Sequence, residues 1–167
     1  EMKSTGEVMG RDQEVRRAIY KGLLAAGVCL PRFGTVIVTL GDKEKPEAVA
    51  LCQRFYQLGY RLVATRGTAA VLRDAGLPVT EVNKLSEGSP HILDMIRKGE
   101  ADLVVNTWTQ GRTPARDGFR IRREAVEHGV ACFTTLDTVE ALLSTLESTY
   151  LIAEPIDVPV YGKKNVI

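Results

Sequence analysis

From residue 35 onward, apolar and polar positions follow two alternating patterns. Short runs rich in β-branched residues lie at residues 35–40, 61–65, 79–82, 103–105 and 131–134, and amphipathic segments that end at glycine separate them. Such an alternation predicts a parallel sheet with crossover helices. The first run, TVIVTL, is continuous, which is typical of a strand buried on both faces. We therefore predict a Rossmann-like α/β fold in three layers, with a five-stranded parallel sheet and helices on both faces.

Start and stop signals place the helices between these strands. We expect helices over residues 46–58, 68–75, 90–98, 119–128 and 139–146. Pro46 and Pro90 suit a first helical turn, with Ser89 as the N-cap before Pro90. Residues 106–118, NTWTQGRTPARDG, are expected to form a loop.

Two segments lie outside the alternation. Residues 11–27 have apolar positions at fourfold spacing and predict a helix, and Pro31 marks the boundary with the main domain. The tail, 149–167, contains two prolines and a glycine, which favour an irregular conformation. We divide the chain into a leading segment, 1–30, a domain over 31–148 and the tail.

Composition excludes several classes of protein. The chain has 167 residues, 22 Lys and Arg against 21 Asp and Glu, so a nucleic-acid partner is not expected. No apolar run approaches the roughly 18 residues of a membrane span, and the polar first residues lack the apolar run of a signal peptide. These features favour the cytosol or an organelle matrix, and we predict a cytoplasmic protein. The three cysteines form no C-x-x-C pair, so neither a disulfide framework nor a metal site is expected.

Candidate chemistry lies where the predicted strands end, because ligands of open α/β sheets bind beyond the carboxyl ends of the strands. Hydroxyl, amide and ammonium groups predominate there. Such groups suit an anion with several acceptor oxygens, and phosphate is the obvious candidate. The residues are Thr39, Lys43, Lys45, Thr65, Asn83, Lys84, Asn106, Thr107 and Thr109.

The turn Thr65-Arg66-Gly67-Thr68 is the sharpest of these elements. It joins a strand to a helix, where free backbone N–H groups and the helix dipole favour negative charge, and Gly67 permits close approach. The alternative is an ordinary turn in which Thr68 is the N-cap. The turn contains neither a Walker nor a dinucleotide-binding fingerprint.

Other candidates keep two interpretations. Lys45, at a helix start, opposes the macrodipole unless a ligand phosphate, Asp42 or Glu44 compensates it. One of Arg122 and Arg123 could reach the pocket, or both could lie on a solvated face. His91 is a cap or surface residue, or else a base without an evident nucleophile. His128 suits the end of a helix, and Trp108 could stack on a base or cover the edge of the core.

Five phrases together resemble the carboxyl-terminal allosteric domain of the carbamoyl phosphate synthase large subunit, which has the methylglyoxal-synthase-like (MGS-like) fold. EMKSTGEVMG resembles the end of the preceding ATP-grasp synthesis unit, and LPRFGTVIVTL resembles the entry to the regulatory domain. ATRGTAAVL, VNKLSEGSPHI and VVNTWTQGR resemble the effector pocket. The resemblance extends to about Glu147, and it implies that the chain is part of a longer protein.

The resemblance implies a regulatory site for a nucleotide monophosphate, with uridine monophosphate (UMP) as inhibitor and, in some members, inosine monophosphate (IMP) as activator. The implied effector contacts are Thr39, Lys45, Thr65, Gly67, Thr68, Lys84, Asn106 and Thr107 or Thr109. An ornithine activator site would include Thr134, although the family's Tyr-Asp-Thr reads Cys132-Phe133-Thr134 here. The parent enzyme would use ATP and Mg in its ATP-grasp units and glutamine through a small subunit. No catalytic residue and no cofactor are expected in this chain.

Two other functions remain open at this stage. A lyase similar to methylglyoxal synthase, acting on dihydroxyacetone phosphate, would need a carboxylate base and a histidine that polarises a carbonyl. Here Ser89 stands near the expected carboxylate, and the loop after the fourth strand offers Asp117 but no histidine. The third function is a structural docking or oligomerisation module.

Overall fold

The computed structural model describes residues 8–28, 31, 33–107 and 112–150. Eleven helices and strands follow one another in these ranges: α1 (Val15–Ala25), β1 (Thr35–Thr39), α2 (Lys45–Gln57), β2 (Arg61–Thr65), α3 (Arg66–Asp74), β3 (Val79–Val82), α4 (Ile92–Arg97), β4 (Leu103–Asn106), α5 (Arg112–Glu127), β5 (Ala131–Phe133) and α6 (Leu136–Tyr150). A single 3-10 turn, Leu85–Glu87, lies between β3 and α4.

The sheet has five parallel strands in the order β3-β2-β1-β4-β5. The chain adds β2 and β3 on one side of β1 and then crosses over to add β4 and β5 on the other side. Thr39, at the end of β1, is in register with Asn106, at the end of β4. Because the winding reverses between these two strands, a crevice opens beyond their carboxyl ends.

Helices cover both faces of the sheet. Val36 and Val38 of β1 point toward the cluster formed by α2, α3 and α6, whereas Ile37 points toward the cluster formed by α4 and α5. In the first cluster, the rings of Phe55 and Tyr60 pack edge to face with their centroids 5.5 Å apart. The fold class predicted from the sequence is therefore confirmed, including its three layers.

Several helix starts differ from the prediction, and those of α3, α4 and α5 lie near the ends of the strands. Ser89 is not the N-cap of α4, because its hydroxyl donates to the carboxylate of Asp94 instead. His91 is the N-cap: its ring accepts from the backbone N–H of Asp94, and its own N–H donates to the Asp94 carboxylate. α3 begins at Arg66, directly after β2, and α5 begins at Arg112 inside the predicted loop.

The two ends of the chain are described only in part. α1 is shorter than predicted, and α6 continues to Tyr150. Residues 1–7 and 151–167 lie outside the described part of the chain, so the division into three segments stays a prediction. None of the described helices is long and apolar enough to cross a bilayer. Among the described residues, no group of three or more His, Cys, Asp and Glu side chains could hold a metal ion.

The start of β1 depends on close packing between Gly34 and Asp102. The Asp102 carboxylate accepts a hydrogen bond of 2.7 Å from the backbone N–H of Thr35. A Cβ added at Gly34 would lie 2.3 Å from Oδ2 of Asp102, which leaves no room for any side chain.

We expect Gly34→Ala to displace Asp102 and to break its bond to Thr35. The loss should lower the free energy of unfolding by about 1–3 kcal/mol, measured by urea denaturation. Gly22→Ala is the matched control, because its Cβ would meet nothing closer than 3.6 Å and alanine favours a helix. Equal stability of Gly34→Ala and the parent chain would contradict this packing.

Candidate functional site

A cavity of about 610 Å³ lies at the carboxyl ends of β1, β2 and β4, where the winding of the sheet reverses. The structure brings together there every predicted effector residue that it describes: Thr39, Lys45, Thr65, Gly67, Thr68, Lys84, Asn106 and Thr107. Thr109 lies outside the described residues. Thr134 follows β5 and is not among the described residues that line the cavity.

The N-terminus of α3 forms one wall of the cavity. Thr65 ends β2 and occupies the N-cap position of α3, so the first-turn N–H groups, which lack partners within a helix, follow the strand directly. The Lys45 ammonium lies close to this turn: a Cβ added at Gly67 would be 3.0 Å from Nζ of Lys45. The glycine therefore allows a cation to approach the end of the helix.

Two buried side-chain polar atoms of the described residues have no hydrogen-bond partner, Oγ1 of Thr68 and Oε2 of Glu44. Both residues line this cavity. Thr68 is only 1% exposed and lies inside α3, so the alternative in which it is the N-cap is wrong. Leaving a buried hydroxyl unpaired costs about 1–3 kcal/mol, which indicates that this position serves something other than stability.

Lys45 is the first residue of α2, and its ammonium pairs with the carboxylate of Asp42 at 2.5 Å. Of the partners that the sequence left open, Asp42 is the one in the structure. Lys45 is largely covered, with 16% of its side chain exposed, whereas the side chain of Asp42 is 93% exposed. The hydrogen bond from Lys45, and then the charges of Lys45 and Lys84, hold the pKa of Asp42 below its ordinary value.

α5 forms the opposite wall. Nη1 of Arg122 donates to Oδ1 of Asn106 at 3.0 Å, so Arg122 is the arginine that reaches the cavity. Arg123 pairs with Glu127 on the exposed side of the helix. A Cβ added at Gly118 would lie 3.1 Å from Oδ1 of Asn106 and 3.3 Å from Nη1 of Arg122, so only a glycine leaves this contact undisturbed.

Only the second part of this wall was predicted to be a helix. Ile121 and Arg122 fall in the predicted helix 119–128, whereas Asp117 and Gly118, which also line the cavity from α5, fall in the predicted loop. Pro114, in the first turn of α5, is the signal that could have placed the helix start earlier.

Thr107 holds the loop between β1 and α2. Its Oγ1 accepts from the N–H of Gly41 at 3.1 Å, and its own N–H donates to the carbonyl of Thr39 at 3.2 Å. Its hydroxyl oxygen is therefore engaged as an acceptor, while its O–H can still donate to a ligand.

Neither histidine lines the described part of the cavity. His91 caps α4, and His128 lies after α5 with its ring near Glu124, so both occupy the structural positions that the sequence allowed. Burial raises the pKa of Cys52 to about 12 and that of Cys132 to about 11, which leaves both thiols protonated at neutral pH. Trp108 lies outside the described residues.

The sheet topology and the residues of the cavity define a class of protein. The model of the MGS-like domain matches residues 47–134, and the chain belongs to this family. Among solved structures, the chain is similar to methylglyoxal synthase from Elizabethkingia anophelis NUHP1, with 22% identity and a TM-score of 0.55 over 69% of this chain and 80% of that one. It also matches the structure of ForH, with 24% identity and a TM-score of 0.49 over 70% of this chain and 79% of that one. At these identities the similarity to solved structures concerns the fold alone.

The unpaired hydroxyl gives a test of whether Thr68 serves stability or binding. We expect Thr68→Val to leave the fold intact and to raise the free energy of unfolding by up to about 1 kcal/mol, because it removes a buried group without a partner. The same change should weaken the binding of inorganic phosphate.

The matched control is Thr145→Val. Thr145 is equally buried, but its hydroxyl donates to the carbonyl of Ala141 at 2.8 Å, so its loss should destabilise the chain. Urea denaturation and calorimetric titration measure the two quantities. A clear loss of stability in Thr68→Val would refute the assignment of this hydroxyl to a ligand.

Proposed function

We propose that the chain is a regulatory domain that binds a nucleotide monophosphate in the cavity at the strand ends. The observation that carries the proposal is the convergence of Lys45, the N-terminus of α3 and the unpaired hydroxyl of Thr68 on one cavity. An ammonium, free backbone N–H groups and a hydroxyl are the donors that a phosphate monoester accepts from.

The charges and size of the cavity support this ligand class. Four cationic side chains line it, Lys43, Lys45, Lys84 and Arg122, against the carboxylates of Asp42, Glu44 and Asp117. The volume of about 610 Å³ lies in the usual range for small-molecule sites and exceeds what a phosphate group alone needs. Ile92, Ile121 and Leu85 supply apolar lining for the remainder of a ligand.

A lyase acting on dihydroxyacetone phosphate is the second candidate, favoured by the two carboxylates of Glu44 and Asp117 in the cavity. That chemistry also requires a group that polarises the carbonyl while a base removes a proton. The two histidines lie outside the described lining, so the regulatory function is the better supported of the two. A docking or oligomerisation module needs no cavity of this composition and is the third candidate.

We assign the whole protein, on the resemblance of its sequence, to the carbamoyl phosphate synthases. In that setting UMP would inhibit and IMP would activate the ATP-dependent synthesis of carbamoyl phosphate for pyrimidine and arginine formation. ATP and Mg would bind in the preceding ATP-grasp units, nitrogen would come through a glutaminase small subunit, and Thr134 would belong to an activator site. Regulation requires the effector to prefer one of two conformations, typically by about 1–3 kcal/mol.

Titration calorimetry of the full chain with UMP, IMP, dihydroxyacetone phosphate and inorganic phosphate tests the proposal. We expect a nucleotide to bind more tightly than inorganic phosphate, without turnover. Lys45→Met and Lys84→Met should each weaken nucleotide binding by about 1.5–3 kcal/mol, the value of a charge-assisted hydrogen bond. Lys98→Met is the matched control, because Lys98 is an exposed residue that follows α4 and does not line the cavity as described.

The outcomes separate the three candidates. Release of methylglyoxal from dihydroxyacetone phosphate would favour the lyase. Failure of all four compounds to bind would favour the docking module. Unchanged nucleotide affinity in both lysine variants would show that the ligand does not use this cavity.

A further inference from the structure

We propose that Asp42 is an internal competitor for the anion site: its carboxylate pairs with the Lys45 ammonium, which a ligand's phosphate would otherwise hold, and the ligand displaces it. The inference rests on the proposed anion site and adds the way in which that site is regulated. In the structure, the Lys45 ammonium is thus already paired with a carboxylate of the chain itself.

The charge of Lys45 requires a nearby anion. A lysine ammonium beside the N-terminus of a helix opposes the helix dipole, so Lys45 needs a negative charge at short distance. Within the described residues, that charge comes from Asp42, which lies three positions earlier on the loop between β1 and α2. A phosphate bound to Lys45 and to the first turn of α3 would satisfy the same requirement, and the two anions would compete for one ammonium.

Asp42 and Lys45 differ in how much of each side chain is exposed to solvent. Asp42 lies at the mouth of the cavity with almost its whole side chain in solvent, whereas Lys45 is mostly covered. The carboxylate can therefore leave the pair and become solvated with little loss, because exposed ion pairs contribute little to stability. The ammonium cannot move away as easily, since most of the Lys45 side chain is covered by the protein.

The buried hydroxyl of Thr68 has no hydrogen-bond partner in the described structure, and this favours a phosphate over Asp42. Asp42 compensates the charge of Lys45 but leaves this buried donor without a partner in the described structure. A ligand phosphate offers more acceptor oxygens than one carboxylate and can satisfy both groups. The exchange of Asp42 for a phosphate thus improves the hydrogen bonding of the site. This improvement favours the displacement of Asp42 by the ligand.

The loop that would move is defined at both ends. The N–H of Gly41 is held by Oγ1 of Thr107, and Lys45 begins α2, so residues 42–44 form a short segment between two fixed points. Displacement of Asp42 therefore changes this segment while β1 and α2 stay in place. The segment also contains Glu44, whose Oε2 is the other buried atom without a partner.

The test compares Asp42→Asn with the parent chain, using inorganic phosphate as the probe in a low-salt, phosphate-free buffer. Because the amide is uncharged, we expect phosphate to bind about threefold to tenfold more tightly. Glu47→Gln is the matched control: it removes one exposed carboxylate from the first turn of α2 that does not line the cavity, and it should change the affinity by less than about twofold.

A double variant separates competition from general repulsion. If Asp42 acts by holding Lys45, the gain from Asp42→Asn should largely disappear in a Lys45→Met background, as a double-mutant cycle would show. Persistence of the full gain in that background, an equal gain in Glu47→Gln, or no phosphate binding by either chain would overturn the inference. Failure of the proposed function appears differently, as UMP and IMP binding no better than phosphate while the effect of Asp42→Asn remains.

Discussion

All five strands run in the same direction, and this single constraint brings the chemistry of the molecule together. Parallel strands end at one edge of the sheet, so residues far apart in the sequence, such as Thr39, Thr65 and Asn106, meet there. The reversal of winding between β1 and β4 prevents the crossover helices from closing that edge. The position of the cavity is thus a result of topology, and the side chains determine only what it can hold.

The site is arranged at some cost to the stability of the fold. A cation lies beside a helix N-terminus, and a buried hydroxyl and a buried carboxylate oxygen lack partners in the described chain. Elsewhere the same chain pairs its charged groups well, as in the ion pair between Arg54 of α2 and Glu147 of α6, at 2.7 Å. Concentration of unsatisfied groups in one cavity is the pattern expected where selection has acted on binding.

The strands were the most predictable part of the fold. Residues 61–65 and 79–82 form strands with the predicted bounds, because β-branched runs bounded by turn residues admit few alternatives. The start of α4 was not predictable from local signals, since His91 takes the capping role that Ser89 was expected to have. The candidate residues of the site followed from the strand ends, but the choice of Asp42 as the partner of Lys45, and of Arg122 over its neighbour, depends on three-dimensional packing.

α2 connects the cavity with the outer layer of helices. Lys45 begins this helix at the cavity, and Arg54, about 13 Å further along its axis, is joined to Glu147 and Ser144 of α6. α6 in turn packs against α1, the first described helix. Because a helix of this length is stiff, the position of Lys45 at the cavity and the ion pair of Arg54 with α6 are fixed relative to each other. The geometry of this wall of the cavity thus depends on packing in the outer layer of helices, and a change that loosened the contact between α2 and α6 would also loosen the placement of Lys45.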